Sequence, residues 1–304
     1  MLGPLFFLVF INDIQFCTKE EVRLFADDTN IFISHKDPKI IKKRANTCMT
    51  QITEWLNSNK ILLSEGKTNF SIFMPKSAKV PGILETIKVK NKVIRRTSSC
   101  KYLGVTLDDK LIFSVHIDKL CKDLFRIVSS FKIIRHWVPD SQKLKLYNAY
   151  FHSRVQFGIE IYGTAADRYI KRIDVLQHRA LKILFNLEPL YPSRELLKKH
   201  KILSIRDLYK ERVAKFVFQQ QSGKLPNIFT DYFNSKNSLA NYPNTRNRDK
   251  LIMPKVRTEG GKKSIKYAGA KIWNQLSNDI QLNTKNKSYH TCRKLIKGYM
   301  LSKY

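Results

Sequence analysis

Two aspartates stand side by side, Asp27 and Asp28, within VRLFADDTNIFIS (Val22 to Ser34). Adjacent carboxylates repel, and a divalent cation offsets that cost; paired Mg2+ ions can in turn activate a hydroxyl and steady a leaving phosphate. The same dipeptide is also an ordinary solvated turn. The second chemistry-bearing set is cationic. Lys119, Lys122, Arg126, Lys132 and Arg135 fall on one long apolar-periodic segment, and Lys171, Arg172, Arg179 and Lys182 on another. Arg246, Arg248, Arg257, Lys262, Lys263, Lys266 and Lys271 crowd the C-terminal part. Lys and Arg interleaved with Tyr, Phe and Trp on helices suit phosphate contacts with occasional base stacking. Any single one of them is equally a solvated helix face. Trp273 is expected in the core. The histidines do not cluster at ligand spacing, and no Gly-rich phosphate loop, Ser-His-Asp order or HExxH occurs.

The elements that must position these residues change character along the chain. Residues 5–14 fit a short, mostly buried helix. Residues 22–33 read as two strands about the acidic turn, with Arg23, Phe25, Asn30 and Phe32 on one face and Val22, Leu24, Ile31 and Ile33 on the other. Ile41, Ala45, Cys48, Ile52 and Trp55 recur at helical spacing. Phe70, Ile72 and Met74 alternate as a strand that Pro75 stops, residues 75–101 resemble a loop and weak hairpin, and YLGVTL (Tyr102 to Leu107) reads as a further strand. From about residue 114 the period becomes 3.6. Stripes follow at Ile117 to Ile134, Leu144 to Val155, Ile170 to Leu184 and Ile205 to Val217. Residues 234–263 then read as a linker, ahead of a short helix at Ile265 to Trp273 and a last basic helix. The fold class is α+β first, then all-α.

Charge follows the same division. Of 304 residues, 56 are Lys or Arg and 25 Asp or Glu, a net charge of +31. Residues 1–100 hold 16 basic and 9 acidic groups, whereas residues 101–304 hold 40 and 16. So lopsided a balance exceeds what solubility needs and calls for a polyanionic partner. A hydrophobic fraction of 43% argues against wholesale disorder, and the longest apolar run, Leu5 to Ile11, is well short of the roughly 20 residues of a spanning helix. That run lacks a preceding Lys or Arg and is closed by Asn12 and Asp13, unlike a secretory signal. Five scattered cysteines read as reduced thiols, so the expected location is intracellular, in a cytoplasmic ribonucleoprotein or the nucleus, and not secreted.

Several motifs in order carry a family resemblance. Phe25-Ala26-Asp27-Asp28 matches the (F/Y)-x-D-D hairpin of reverse transcriptases. LGPLFFLVFINDI (Leu2 to Ile14), WLNSNKILLSEGKTNFSIF (Trp55 to Phe73) and KYLGVTLDDKLIFSVHI (Lys101 to Ile117) resemble successive polymerase segments of non-LTR, LINE-like retrotransposons. NTRNRDKLIMPKVRTEGGKKSIKYAGAKIWNQL (Asn244 to Leu276) is similar to the C-terminal region of jockey-like elements. The resemblance implies a partial polymerase palm of antiparallel strands plus helix over residues 1–110, an all-α thumb-like region over 111–190 and a basic C-terminal helical region over 191–304. It implies RNA-directed DNA polymerase chemistry with Mg2+ or Mn2+, Asp27 as metal ligand and Asp28 as supporting carboxylate. Phe25 and Ala26 would underlie the primer terminus, Lys67 would neighbour the leaving pyrophosphate, and Tyr102, Leu103 and Gly104 would hold the primer backbone.

The family pattern also contains a third carboxylate on a strand ahead of the first helix, a fingers region, and a Gln-Gly pair before LGP. These are not in the sequence, where Met1 precedes Leu2. The expectation is therefore a C-terminal polymerase fragment that binds RNA template and DNA primer, holds metal weakly, works only beside an N-terminal half, and has no membrane role. The alternative is a non-catalytic basic RNA- or DNA-binding protein derived from such an element. Exposed apolar surface is expected on the Leu5–Ile11 helix and the Phe25 hairpin.

Overall fold

The structure, a computed structural model, describes residues 2–64, 66–75, 77–90, 92–235, 250–276 and 288–304. The chain divides into two units, Met1–Tyr102 with Thr106–Leu111, and Leu103–Val105 with Ile112–Tyr304.

The first unit is mixed. Helix α1 (Gly3–Ile11) runs into a 3-10 turn (Asn12–Phe16), followed by strands β1 (Glu21–Phe25) and β2 (Asp28–Phe32) and helix α2 (Pro38–Ser58). Asp37 caps α2, its carboxylate accepting from the Lys39 amide at 2.8 Å, with Pro38 in the first turn. Strands β3 (Thr86–Val89), β4 (Lys92–Arg95), β5 (Ser99–Tyr102) and β6 (Val105–Asp108) complete it. All strands pair as sequence neighbours in three two-stranded sheets. Isolated hairpins are marginal in water, and packing on α2 supports the β1–β2 and β3–β4 pairs. Cys48, Ile52 and Leu56 of α2 form a core with Ile11 and Ile14, against which Leu24 and Ile31 of the first hairpin pack. Met49 joins Ile87 and Val89 in a second cluster. Arg44 fastens the arrangement with two bonds to the Glu20 carboxylate, 2.8 and 2.6 Å.

The second unit is helical. It comprises α3 (Ser114–Ile134), α4 (Asp140–Leu146), a π-helical segment (Tyr147–His152), α5 (Ser153–Gln156), α6 (Ile159–Tyr162), α7 (Asp167–Leu184), α8 (Ser193–Lys199), α9 (Ile205–Gln221), α10 (Glu259–Lys262), α11 (Ile265–Asn274) and α12 (Tyr289–Leu301). The 3.6-residue stripes become the core. Ile117, Leu124, Phe131, Tyr147, Phe151, Ile170, Ile173 and Leu181 are all buried, and so is Trp273. Helix α3 packs on α7, while α9 packs on α11 and α12. No described helix is long and apolar enough to cross a membrane.

Four local expectations change. The first helix is not mostly buried: Leu5 to Phe10 are exposed, and only Ile11 and Ile14 enter the core. A helix apolar on every side must leave much of itself uncovered when only one end meets a neighbour. Residues 68–74 form no strand; Phe70 makes one isolated parallel bridge to Arg96, supported by the Thr97 amide donating to Phe70 O at 2.9 Å. YLGVTL is not one strand but a strand end, the turn Leu103-Gly104, and the start of β6. Positive φ at both turn residues, 44° and 86°, is the signature of a tight two-residue hairpin. In the 234–263 stretch, Leu251 is buried and α10 interrupts the linker; residues 236–249 lie outside the described residues.

Candidate functional site

The acidic turn sits at the tip of the β1–β2 hairpin. Phe25 pairs with Asp28, so Ala26 and Asp27 are the two loop residues, and of these only Ala26 has positive φ (51°). That is the pattern of a turn strained at its first central position, which glycine usually fills. The paired register places Val22 with Ile31 and Leu24 with Thr29 on the face toward α2. Phe25 and Asp28, Arg23 and Asn30, and Glu21 and Phe32 therefore share the outer face. Asp27 and Asp28 are both exposed, and Phe25 is 62% exposed.

On that outer face Phe32 meets Tyr102 edge-on, ring centroids 6.1 Å apart. The aromatic contact brings the hairpin that bears the carboxylates to the end of β5, where Tyr102 sits. Lys67 is exposed in a turn whose amide donates to Ser64 O at 3.1 Å. Gly104 has a strict local role. A Cβ on it would lie 2.7 Å from the Phe157 ring, and its φ is +86°.

A two-metal centre needs donors on both sides of the ions. Among the described residues no three His, Cys, Asp or Glu side chains gather as a metal-binding group. Two exposed carboxylates on one turn do not by themselves fit such a centre, and Asp13 lies exposed in the 3-10 turn after α1.

The cationic residues separate by element. On α3, Lys119, Lys122, Arg126 and Lys132 are exposed; Arg126 pairs with Asp123 at 3.2 Å, and Arg135 is half-buried, its Nε donating to His136 Nε2. On α7, Lys171, Arg172 and Arg179 are exposed, Arg172 pairs with Asp118 of α3, and Arg179 lies over the Phe125 ring at 5.7 Å. Lys182 is half-buried and donates to Pro189 O at 2.6 Å. In the C-terminal part Arg257 and Lys271 are exposed, Lys262 pairs with Glu259 at 2.6 Å, Lys263 is half-buried, and Lys266 covers the Tyr232 ring at 5.6 Å. Arg246 and Arg248 lie outside the described residues.

Sequence reasoning placed Phe32 on the hairpin but not against Tyr102, and it did not single out Phe157 or the exposed apolar groups of α3 and α7. Phe125 and Ile133 fall between the α3 core positions, a signal that the helical period does contain.

The Phe-Ala-Asp-Asp turn thus projects from a hairpin whose apolar face packs on α2. Residues 1–107 match the family described as reverse transcriptase (RNA-dependent DNA polymerase). The chain is homologous to polymerases of non-LTR mobile elements. It is 22% identical over 228 residues to the RNA-directed DNA polymerase from mobile element jockey of Drosophila melanogaster, covering 71% of this chain and 24% of the relative. The probable RNA-directed DNA polymerase from transposon X-element of the same species is 22% identical over 229 residues, again 71% and 24%. That from transposon BS is 24% identical over 200 residues, 60% of this chain and 21% of the relative. The chain thus spans about a quarter of the length of the curated relatives it matches. No solved structure matches it significantly.

Proposed function

We propose that this chain is the palm-hairpin, thumb and C-terminal part of an RNA-directed DNA polymerase of a jockey-like non-LTR element, and that it binds RNA template and DNA primer. The observation that carries the reading is the Phe25-Ala26-Asp27-Asp28 turn. Both carboxylates project at the tip of a hairpin whose apolar side is seated on α2, inside the residues matched to the family. In this reading residues 1–110 are palm, 111–190 thumb and 191–304 a basic C-terminal region. Phe25 and Ala26 lie beneath the primer terminus, Lys67 neighbours the leaving pyrophosphate, and Tyr102 to Gly104 hold the primer backbone. The edge contact between Phe32 and Tyr102 supports the last assignment, because it ties that segment to the carboxylate hairpin. The exposed cations of α3, α7 and the C-terminal part supply phosphate contacts, consistent with a net charge of +31.

Asp27 and Asp28 contribute part of a Mg2+ or Mn2+ site, and an N-terminal polymerase half supplies the remaining donor. These 304 residues are therefore inactive alone. The test is primer extension on an RNA template with either ion. No incorporation by the chain alone is expected, with Asp27-dependent incorporation when the N-terminal half of a related polymerase is added in trans. Incorporation by the chain alone, abolished in Asp27→Ala, would overturn the inactivity.

A second reading, a non-catalytic basic RNA- or DNA-binding protein derived from such an element, is favoured by the cationic helices together with the lack, among the described residues, of a third donor beside the two carboxylates. Binding to an RNA·DNA hybrid without incorporation in any combination would select it. Both readings place the chain with its nucleic acid inside the cell, in a cytoplasmic ribonucleoprotein or the nucleus.

A further inference from the structure

Helices α3 and α7 enclose an open groove of about 660 Å3 on the second unit, lined among others by Lys122, Phe125, Arg126, Arg172, Val175 and Leu176. Its composition is unusual for either a core or a solvated face. Phe125 is 50% exposed and Val175 64%. Both lie off the stripes that their helices bury. Cations surround this apolar floor, and the Arg179 guanidinium lies over the Phe125 ring, 5.7 Å from its centroid. A face that merely kept the protein soluble would not gather a half-exposed aromatic ring and an exposed β-branched side chain between arginines.

Aromatic rings and guanidinium planes beside phosphate-binding cations are the chemistry that receives unpaired bases. A duplex hides its base faces and would use the cations alone. The groove also contains a carboxylate, Asp118, whose charge is partnered by Arg172 at 2.5 Å. A carboxylate is a poor neighbour for phosphate but a good acceptor for a ribose 2′-hydroxyl, the group that separates RNA from DNA.

We infer that the α3–α7 groove docks single-stranded RNA, a base stacking on Phe125 between Arg179 and Val175 while Lys122, Arg126 and Arg172 hold the flanking phosphates. This rests on the nucleic-acid-binding reading above and adds a site for unpaired RNA on the helical unit. It is a holding site, remote in role from nucleotide addition, and Asp118 selects ribose.

The test uses the 304-residue chain and anisotropy titrations with four labelled probes of equal length: a uridine homopolymer RNA, its DNA counterpart, an abasic phosphodiester strand, and a blunt RNA·DNA hybrid. Phe125→Ala is expected to weaken uridine RNA roughly tenfold while leaving the abasic strand and the hybrid unchanged. Phe125→Trp retains the wild-type affinity. Lys122→Ala lowers the salt slope by about 0.7, and Phe125→Ala leaves that slope unchanged. Asp118→Asn narrows the preference for RNA over DNA. Phe125 is half-exposed, and an unchanged melting midpoint separates lost stacking from lost folding.

Equal losses on uridine and abasic strands, no loss with Phe125→Ala, or DNA bound as tightly as RNA would each overturn the inference. Binding of the hybrid but not of the single strand overturns the inference and leaves the polymerase reading standing. Failure to bind any of the four overturns both.

Discussion

Gly104 and Phe157 are in contact that leaves no room for a side chain: a Cβ on Gly104 would lie 2.7 Å from the ring, on a backbone whose φ is +86°. Two costs can be told apart. Placing alanine at positive φ costs about 1 kcal/mol, and the collision adds to it unless the half-exposed ring swings away. Gly104→Ala is expected to lower the urea midpoint of unfolding. In the Phe157→Ala background the loss should shrink to the backbone part without vanishing. Equal losses in both backgrounds would show that the ring contributes nothing.

Gln177 is fully buried on α7, where its side-chain amide donates to Tyr147 Oη and Leu203 O, both at 3.0 Å. The period of α7 makes position 177 a core site, so an apolar residue would look acceptable there. Gln177→Leu nevertheless removes the donor from a buried carbonyl and a buried hydroxyl, at about 1–3 kcal/mol for each. A melting midpoint matching the wild type would refute this bridging role.

Glu211 and Lys215 form a 3.0 Å ion pair on α9 with both side chains almost wholly buried, and Arg293 of α12 approaches the same carboxylate at 3.8 Å. Burial pulls the Lys215 amine below its ordinary value even though Glu211 opposes the shift. Glu211→Gln strands that amine and is expected to cost about 3–5 kcal/mol. The double substitution Glu211→Leu with Lys215→Met should recover most of the loss, because it removes both desolvated charges. Chemical denaturation of the three variants decides it.

His152 gives the helical unit an acid limit. Burial, reinforced by Lys297 of α12 and more weakly by Arg293 and Arg212, pushes its pKa down to about 4, and a hydrogen bond to Gln156 only partly opposes the shift. The folded chain thus keeps a neutral imidazole while the unfolded chain protonates near pH 6.5. Stability is unaffected above pH 6.5, falls as the pH drops, and has lost its full increment, about 3 kcal/mol at most, below pH 4. His116, His178 and His200 are lowered by burial too and act with the same sign. His152→Gln should flatten the decline between pH 6.5 and 4 in a series of denaturation curves. An unchanged slope would mean that the imidazole is solvated.

Asp27→Asn and Asp28→Asn test whether the acidic turn serves folding or function. Both carboxylates are exposed at a hairpin tip, so each substitution should change stability by less than about 0.5 kcal/mol, slightly upward where repulsion is relieved. In the complemented extension assay Asp27→Asn should abolish incorporation. A large destabilisation instead would make the pair a structural element of the turn.

The mixed first part and helical second part were legible from periodicity, because burying one face of a helix or hairpin imposes period 3.6 or 2 on the sequence wherever the core lies. So the α2, α3, α7 and α9 stripes and the shared face of Phe25 and Phe32 followed directly. The acidic turn was legible as well, since its residue types and the segments around it carry the family pattern. What the linear pattern could not decide is which neighbours meet. Residues 68–74 alternate like a strand, yet only Phe70 finds a bridging partner, and a strand exists only where a ladder forms. YLGVTL breaks at Leu103-Gly104 because both residues adopt positive φ in a tight turn. The placement of Arg179 over Phe125, the edge contact of Phe32 with Tyr102 and the exclusion of a side chain at Gly104 are all contacts between residues far apart in the chain. Sequence determined the chemistry carried and the face that each amphipathic helix buries; tertiary packing alone decided how far the apolar first helix is covered and which groups share a site.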